Sequence, residues 1–556
     1  MKNKIKVLLE RGYFPVQLPP CFTTARFAKA HHKLDAPWSA LKLPRMQPER
    51  FSVARSSYNR RVTSILNPVG YFFLCKHLAE HWKSIQNHYS RSRFSFSRPR
   101  LERGLRAIRI NRFSDVHDHK LVQAAGYRYA LITDISRFFP TIYTHSIPWA
   151  LHGKQAAKTN KKNAAFFGNV LDASSMSVQD FQTMGLPIGP DSSHVIAEII
   201  GTAIDRELRA AFDAWPSGFR YVDDFYLFFN ERADAERALA IVSRVVASFE
   251  LEINASKTRI IETKELIEES WKYKIKGANF ADAHAAQRND IHKFFENLIA
   301  LEKAYRDESV VKYGLKIASS SIIKRQNWQI FEAYLLHCGF AYPNALQTIA
   351  SLFTTYAKYG YPLDLQAIGR FCNAIVLTHA PSDHHSEVAW ALWIMVELGL
   401  ALDAKSVAAL GQISSSACVL LALSLLRGAG GTASISTAKL AAHSTSDALY
   451  DAGWLLAYEG GKRMWLSATT DAHIRSDPFF GELLRQKVGF FDDMARLPPI
   501  FTPKDPSALS QDLFESDEAV DDLFEFEEHD EEYFDASETP EVKPPGQEDD
   551  DDLDLA

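Results

Sequence analysis

The chain has 556 residues, 46% of them hydrophobic and 24% charged, and this length predicts roughly three or four domains. The composition is that of a globular protein. It contains no uncharged apolar run of about 18 residues, so we expect neither a fibrous chain nor a membrane protein. The formal net charge of −5 hides an asymmetry: residues 511–556 hold 21 acidic residues and one lysine, which leaves +15 for residues 1–510.

Five cysteines are widely scattered and form no paired Cys-x-x-Cys motif. This usage argues against a disulfide scaffold and a cysteine zinc site, and it suits a reducing compartment. The basic N-terminus is not followed by an apolar run long enough for a signal peptide. We therefore expect a cytoplasmic protein.

Residues 1–125 form the first predicted region. Repeated prolines predict an extended segment within the first 60 residues, because proline breaks helices. Residues 91–112 hold eight arginines interleaved with Phe94 and Phe96, a pattern typical of surfaces that contact phosphates and stack bases. An idle basic surface is the alternative. The candidate nucleic-acid-binding residues are Arg98, Arg100, Arg106 and Arg109.

Residues 126–284 mix strand and helix patterns. Residues 129–134 are a short apolar run that ends in a carboxylate, and residues 219–229 predict two buried strands joined by an acidic turn. Residues 193–211 and 234–249 predict helices, the second with Asp234 as N-cap.

Residues 285–498 are rich in Ala and Leu and predict an all-α domain, either stacked helical pairs or one irregular helical unit. His384-His385 has no partner at metal-ligand spacing in the sequence, so we expect a polar loop without a metal role. Residues 499–556 are rich in Pro, Asp and Glu and predict a disordered acidic tail.

The chemistry-bearing feature is Tyr221-Val222-Asp223-Asp224, which lies between two apolar strands. Adjacent carboxylates at a tight turn repel each other, and a divalent cation relieves that repulsion. Nucleotidyl transfer with two Mg²⁺ ions requires such a pair and a further carboxylate, for which Asp134 is the candidate. Mn²⁺ is the second candidate ion.

Four segments in order complete the pattern: Asp134-Ile-Ser-Arg-Phe-Phe-Pro-Thr-Ile, Gly185-Leu-Pro-Ile-Gly-Pro190, Tyr221-Val-Asp-Asp and Leu251-Glu-Ile-Asn-Ala-Ser-Lys-Thr258. Together they resemble the palm motifs of reverse transcriptases. The resemblance implies an α+β fold: a right-hand polymerase palm (126–284) with fingers (1–125), followed by a HEAT-like all-α helical-repeat domain and the acidic tail.

The resemblance also implies roles for individual residues. The metal ligands would be Asp134, Asp223 and Asp224, and Lys257 would assist departure of pyrophosphate. Phe139 would clash with a 2′-hydroxyl and so favour deoxynucleotides. The other residues expected to bind or shape the site of the nucleotide are Gly185, Pro187, Gly189 and Tyr221. Phe138 is expected to belong to the core.

One position departs from the usual motif. Many reverse transcriptases have Gln in the second motif, and this chain has Ile188. The Gly-Leu-Pro-Ile-Gly-Pro form resembles the abortive-infection (AbiK-like) and defence-associated reverse transcriptases of bacteria. That group implies DNA synthesis from a protein hydroxyl without a conventional template, homo-oligomers and action against phage. Tyr58 is the candidate priming residue.

The predicted function is therefore protein-primed DNA synthesis from dNTPs in bacterial anti-phage defence, with a DNA product that priming would attach covalently. RNA is a further candidate partner, and no membrane partner is expected. One alternative is a template-directed reverse transcriptase that copies a dedicated noncoding RNA, and another is a noncatalytic RNA-binding scaffold. The acidic tail is either a solubilising segment or an intramolecular mimic that occupies the nucleic-acid channel.

Overall fold

The computed structural model describes residues 2–213, 215–267, 271–275, 280–428, 435–466 and 471–501. The acidic segment 511–556, with its predicted disorder and its hypothesised binding to the channel, lies outside these residues. None of the helices in the described ranges combines the length and the apolar character needed to cross a bilayer.

The N-terminal region consists of helices and two small antiparallel hairpins. Its helices are α1 (Lys2–Arg11), α2 (Ala25–Ser39), α3 (Pro68–Glu80), α4 (Trp82–Tyr89) and α5 (Phe113–Ala124). Its hairpin strands are β1 (Glu49–Ala54) with β2 (Arg60–Ile65), and β3 (Arg100–Leu101) with β4 (Ile108–Arg109).

The expectation of an extended N-terminus is wrong for α1 and α2. The prolines at 15, 19 and 20 cluster between the two helices, and Pro37 lies in the last turn of α2, so they interrupt little helical hydrogen bonding. The segment between the helices consists of turns and bends rather than extended chain, and much of it is buried. There Tyr13 stacks on Tyr71, with ring centroids 4.3 Å apart, and the Thr23 N–H donates to the carbonyl oxygen of Phe490 (3.0 Å).

The central region is built on a four-stranded antiparallel sheet. Its strands are β5 (Tyr129–Thr133), β6 (Ser217–Tyr221), β7 (Asp224–Phe229) and β8 (Arg259–Glu262), in the order β6-β7-β5-β8. Its helices are α6 (Phe138–Thr141), α7 (Ser146–His152), α8 (Lys154–Thr159), α9 (Phe167–Ser177), α10 (Ser192–Ala211), α11 (Arg232–Ala247) and α12 (Trp271–Ile275).

The register of the sheet determines what meets at its edge. Leu131 of β5 pairs with Leu227 of β7, and Thr133 pairs with Phe225. The predicted strands and both predicted helices are confirmed within a few residues. Asp234 lies in the first turn of α11 rather than at its N-cap, which is Glu231.

The C-terminal region is helical, as predicted. Its helices are α13 (His284–Tyr305), α14 (Ser309–Ala318), α15 (Trp328–Ala341), α16 (Leu346–Lys358), α17 (Leu365–His379), α18 (His385–Leu398), α19 (Ala404–Leu410), α20 (Ser416–Gly428), α21 (Thr437–Ala442), α22 (Trp454–Lys462), α23 (Ala472–Arg475) and α24 (Phe480–Arg485). Whether these helices form HEAT-like repeats stays a prediction. All five cysteines are buried as free thiols.

The β1–β2 hairpin joins the N-terminal region to the C-terminal helices. The carboxylate of Glu49, at the start of β1, accepts hydrogen bonds from the Ser415 hydroxyl (2.8 Å) and the Ala417 N–H (3.4 Å) at the start of α20. Burial raises the pKa of Glu49 to about 7, although these donors oppose the shift. The carboxyl group therefore binds a proton more tightly in the folded protein than in the unfolded chain.

Glu49→Gln is expected to change how stability depends on pH. The folded wild type binds a proton more tightly than the unfolded chain, so its free energy of unfolding falls as pH rises from about 4.5 to about 7. The glutamine variant lacks this contribution. Its stability relative to wild type should rise across that window by up to about 3 kcal/mol. Urea unfolding at several pH values measures the difference.

Glu296→Gln, at an exposed position on α13, is the matched control and should follow the wild-type pH dependence. Parallel pH profiles for wild type and Glu49→Gln would contradict the assignment of a raised pKa to Glu49.

Candidate active site

The turn between β6 and β7 presents two carboxylates. Val222 has a φ of +51°, in the left-handed region that a β-branched residue seldom adopts. Its N–H donates to the Ser97 hydroxyl (2.8 Å), which fixes the turn from outside the sheet. Asp223 and Asp224 follow directly. A strained backbone conformation of this kind persists only where the surrounding structure imposes it, and such conformations cluster at functional sites.

Asp134 reaches the same place from the neighbouring strand. The β5–β7 register, continued by one residue, sets Asp134 opposite Asp224. The N–H of Ile135 donates to the carbonyl oxygen of Asp223 (3.3 Å), and the N–H of Asn254 donates to that of Asp134 (2.8 Å). These backbone bonds bring Asp134 to the adjacent pair Asp223 and Asp224, which lies far from it in the sequence.

Lys257 lies beside these acids. Its Nζ is 3.4 Å from Oδ2 of Asp134. The next residue anchors the segment to the sheet, because the hydroxyls of Thr258 and Thr133 are 2.7 Å apart. The lysine therefore places a positive charge at the edge of the cluster of three carboxylates, where it can bind an anionic ligand.

The donor set suits a hard divalent cation. Asp134 and Asp223 are 6% and 7% exposed, and Asp224 is half-buried at the same turn. Carboxylate oxygens on a firm backbone are the protein ligands that Mg²⁺ takes, usually together with substrate phosphates and water. Asp134, Asp223 and Asp224 are the residues that would hold such ions.

A buried arginine is hydrogen-bonded to the backbone of the β6–β7 turn that carries Asp223 and Asp224. Nη1 of Arg220 donates to the carbonyl oxygen of Val222 (2.7 Å). The same guanidinium donates to Asp205 through Nε and Nη2, both at 2.8 Å, and to Glu198 at 3.1 and 3.2 Å. Both acids lie on α10, so one side chain ties that helix to the turn.

The side chains and backbone around the Arg220 guanidinium match its charge and its size. Burial alone would lower the pKa of Arg220, but Asp205 and Glu198 raise it above its usual value. A Cβ at Gly201 would lie 2.6 Å from the guanidinium, so glycine makes room for it. This arrangement was not predicted from the sequence. The available signal was a charged residue inside an apolar strand and two acids seven residues apart on an apolar helix.

The loop 185–190 lies against the segment after Asp134. The N–H of Gly185 donates to the carbonyl oxygen of Ile142 (2.8 Å), and that of Leu186 donates to Phe139 (2.7 Å). Gly185 and Gly189 both have positive φ, +89° and +113°, which favours glycine. Pro187, between them, accepts a hydrogen bond at its carbonyl oxygen from the Ser193 hydroxyl.

Arg106 supports this loop from inside the protein. Its guanidinium pairs with the buried Asp191 and donates to the carbonyl oxygens of Phe14 and Gly189, both at 2.7 Å. Burial raises the pKa of Asp191, and Arg106 opposes that shift. The prediction that Arg106 contacts nucleic acid is therefore corrected: burial and these internal partners assign it a structural role.

Phe139 belongs to the first motif and its ring packs against α10. Its ring lies 5.1 Å from that of His194, centroid to centroid, in an edge-on arrangement. His194 also lines a small recess together with Val222. It was not among the site residues predicted from the sequence. Phe138 is 3% exposed and belongs to the core, as expected.

The other predicted residues lie in different surroundings. Tyr221 is buried and its hydroxyl donates to the carbonyl oxygen of Asn111 (2.6 Å). Its ring therefore packs inside the protein beside the site, in contrast to the predicted contact with a nucleotide.

Arg100 and Arg109 lie on either side of Glu102, at 3.7 and 3.6 Å from its carboxylate, and each is more than a third exposed. Arg98 is half-buried next to Ser97.

Tyr58 lies at the tip of the β1–β2 hairpin and is 94% exposed. The Ser57 N–H donates to the Glu308 carboxylate (2.8 Å), and its hydroxyl donates to the carbonyl oxygen of Ala341 (3.1 Å). The hairpin tip is thus held on the C-terminal helices while the tyrosine ring faces solvent.

Comparison with known proteins identifies the class of domain. Residues 59–280 match the family model described as reverse transcriptase (RNA-dependent DNA polymerase). The chain therefore contains a reverse-transcriptase domain with a palm-and-fingers fold, followed by a largely helical region. This match supports assignment of the domain to the polymerases among the nucleotidyltransferases, which use divalent metals such as Mg²⁺.

More particular relatives are distant. No curated protein matches the chain. Among solved structures, apo telomerase from Candida tropicalis is 10% identical over 73% of this chain and 72% of that chain, with a TM-score of 0.30. Telomerase from Candida albicans, in complex with a fragment of telomeric RNA, is 12% identical over 66% and 68%, with a TM-score of 0.28. Similarities this weak carry no functional argument.

Proposed function

We propose that this protein is a reverse-transcriptase-type DNA polymerase that adds nucleotides from dNTPs by two-metal nucleotidyl transfer. The observation that carries the proposal is the convergence of Asp134, Asp223 and Asp224 on one strained turn, with Lys257 at its edge. Two bound Mg²⁺ ions, or Mn²⁺, supply activation of the attacking hydroxyl and stabilisation of the leaving pyrophosphate.

The protein's own residues have distinct parts in this mechanism. Hydrogen bonds from the N–H groups of Ile135 and Asn254 fix the backbone that carries Asp223 and Asp134. Lys257 offsets negative charge that develops as pyrophosphate leaves. Phe139 packs under the sugar and excludes a 2′-hydroxyl.

The finer proposal is that synthesis begins on a protein hydroxyl and needs no conventional template. Tyr58 is the proposed primer, and its exposure at a hairpin tip supports this because a priming hydroxyl has to reach an active site, its own or that of another copy. We further propose a homo-oligomer acting in bacterial anti-phage defence in the cytoplasm. These parts rest on the motif resemblance to abortive-infection reverse transcriptases.

One experiment tests the polymerase and its priming together. Purified protein is incubated with Mg²⁺ and labelled dNTPs, without template or primer, and analysed on a denaturing protein gel with and without nuclease. We expect a nuclease-sensitive, high-mass labelled product that is absent from Asp223→Ala. Tyr58→Phe should lose the covalent adduct, whereas Tyr273→Phe, at another exposed tyrosine, should retain it.

The other outcomes identify the alternatives. Activity that appears only with an added RNA template and primer would support template-directed synthesis, which the description of the matched family favours. Full RNA binding and phage protection by Asp223→Ala, without synthesis in any variant, would support a noncatalytic scaffold. An adduct that survives Tyr58→Phe would move priming to another residue.

Phe139→Ala is expected to admit ribonucleotides. Removing the ring opens space for a 2′-hydroxyl, so the preference for dNTPs over rNTPs should fall by roughly tenfold or more. Steady-state incorporation of each nucleotide class measures this ratio. Phe340→Ala, at an exposed ring in the C-terminal helices, is the control and should leave the ratio unchanged. An unchanged ratio in Phe139→Ala would refute the steric role.

A further inference from the structure

A cluster of metal-ligand side chains lies far along the chain from the polymerase motifs. His379 ends α17, His384 follows in the connecting segment, and Glu387 lies in the first turn of α18. One ligand atom from each falls within 4.8 Å of the other two. The expectation that His384 has no partner at metal-ligand spacing is therefore wrong, because the turn between the two helices brings His379 back to it.

The distances within the cluster fit one face of a tetrahedral site. Nδ1 of His379 is 2.8 Å from Nδ1 of His384, and these atoms are 3.9 and 3.7 Å from Oε1 of Glu387. Ligand bonds of about 2.0–2.1 Å to zinc require ligand atoms about 3.3 Å apart. One of the three distances is shorter than that value and two are longer, so small side-chain rotations would bring the ligand atoms to the spacing that zinc requires.

We propose that His379, His384 and Glu387 form a binding site for a transition-metal ion of the Zn²⁺ class, with water as the fourth ligand. Two imidazole nitrogens and one carboxylate oxygen favour Zn²⁺, Co²⁺ or Ni²⁺ over Mg²⁺, which takes oxygen ligands. Three protein ligands and an open position are typical of accessible rather than closed zinc sites.

The surroundings provide orientation and access. The Ser386 hydroxyl donates to Oε2 of Glu387 (2.8 Å), so a second contact orients the ligating carboxylate. Glu387 is fully buried, whereas the side chains of His379 and His384 are 17% and 28% exposed and leave a route from solvent. His385 is outside the set, because its Nδ1 accepts a hydrogen bond from the Ser52 N–H (3.1 Å) and its Nε2 is 3.1 Å from Oδ1 of Asp383.

Arg60 of the β1–β2 hairpin would compete with a metal ion for the carboxylate of Glu387. It holds Glu387 with both terminal nitrogens, Nη1 to Oε1 at 2.5 Å and Nη2 to Oε2 at 2.8 Å. A metal on Oε1 would replace only the first contact and leave the second as support from outside the metal shell. Removal of Arg60 should strengthen metal binding, because Oε1 of Glu387 would no longer have to give up a cationic partner.

Cobalt titration of the full-length protein tests the site. Tetrahedral Co²⁺ gives intense visible absorption, whereas Co²⁺ bound by carboxylates and water in octahedral geometry absorbs weakly, so the polymerase carboxylates do not interfere. We expect the band in wild type and at least tenfold tighter binding in Arg60→Gln. His379→Gln and His384→Gln, two separate variants, should each weaken binding by roughly 100-fold.

Two controls complete the design. His337→Gln, at an exposed histidine on α15, and Asp134→Ala should both retain the band with wild-type affinity. Folding of every variant is checked by circular dichroism. A band that survives both histidine substitutions, a band lost in Asp134→Ala, or no band in either wild type or Arg60→Gln would overturn the proposal.

Discussion

Asp134→Asn is expected to reduce nucleotide incorporation by roughly 10³-fold or more while the protein remains folded. The amide keeps the size of the side chain but removes the charge that faces Lys257 and that would hold a cation. The segment after β5 is joined to the Asp223–Asp224 turn by the N–H of Ile135 and the carbonyl oxygen of Asp223. The substitution does not touch these backbone groups, so the geometry of the turn should persist.

The measurement is single-turnover incorporation of a labelled dNTP at several Mg²⁺ concentrations, alongside thermal unfolding. Asp234→Asn, at a surface acid on α11 whose side chain is 43% exposed, is the matched control and should retain wild-type rates. A rate within tenfold of wild type in Asp134→Asn would contradict the assignment of Asp134 as a metal ligand.

Features that depend on short-range patterns could be predicted from the sequence. Apolar runs next to acids identified β5, β6 and β7 and the carboxylates at their ends, because strand burial and turn chemistry are local properties. The order of the motifs then indicated the palm, and the Ala- and Leu-rich half indicated helices. Phe138 was correctly assigned to the core beside Phe139.

Features that depend on pairing across the fold could not be predicted in this way. An arginine in a basic, aromatic segment has the same local pattern whether it faces solvent, as Arg100 does, or pairs with a buried acid, as Arg106 does with Asp191. The cluster of His379, His384 and Glu387 was missed for a related reason. Its spacing is meaningful only once a turn reverses the chain between two helices.

Arg220→Met is expected to destabilise the protein by about 3–5 kcal/mol and to abolish polymerisation. The guanidinium is the shared partner of Glu198 and Asp205, and its loss would leave two buried carboxylates without their cation. The carbonyl oxygen of Val222 would lose its donor at the same time. Thermal unfolding and single-turnover incorporation measure the two effects on one sample.

These two effects can be separated by removing all three charges. In the triple variant Arg220→Met, Glu198→Gln and Asp205→Asn, no buried charge of this group lacks a partner, so most of the lost stability should return. Asn at position 205 can still accept the hydrogen bond that Asp205 now receives from the Ser92 hydroxyl (2.7 Å).

Activity should not return with stability, because Met cannot donate to Val222 and the left-handed turn that carries Asp223 would lose its support from Arg220. The matched control is Arg209→Met, at an exposed arginine on α10, which should keep both stability and rate. If the triple variant regained wild-type polymerisation, Arg220 would serve only to balance charge. Recovery of stability without activity would instead identify Arg220 as a positioning residue for the catalytic carboxylates.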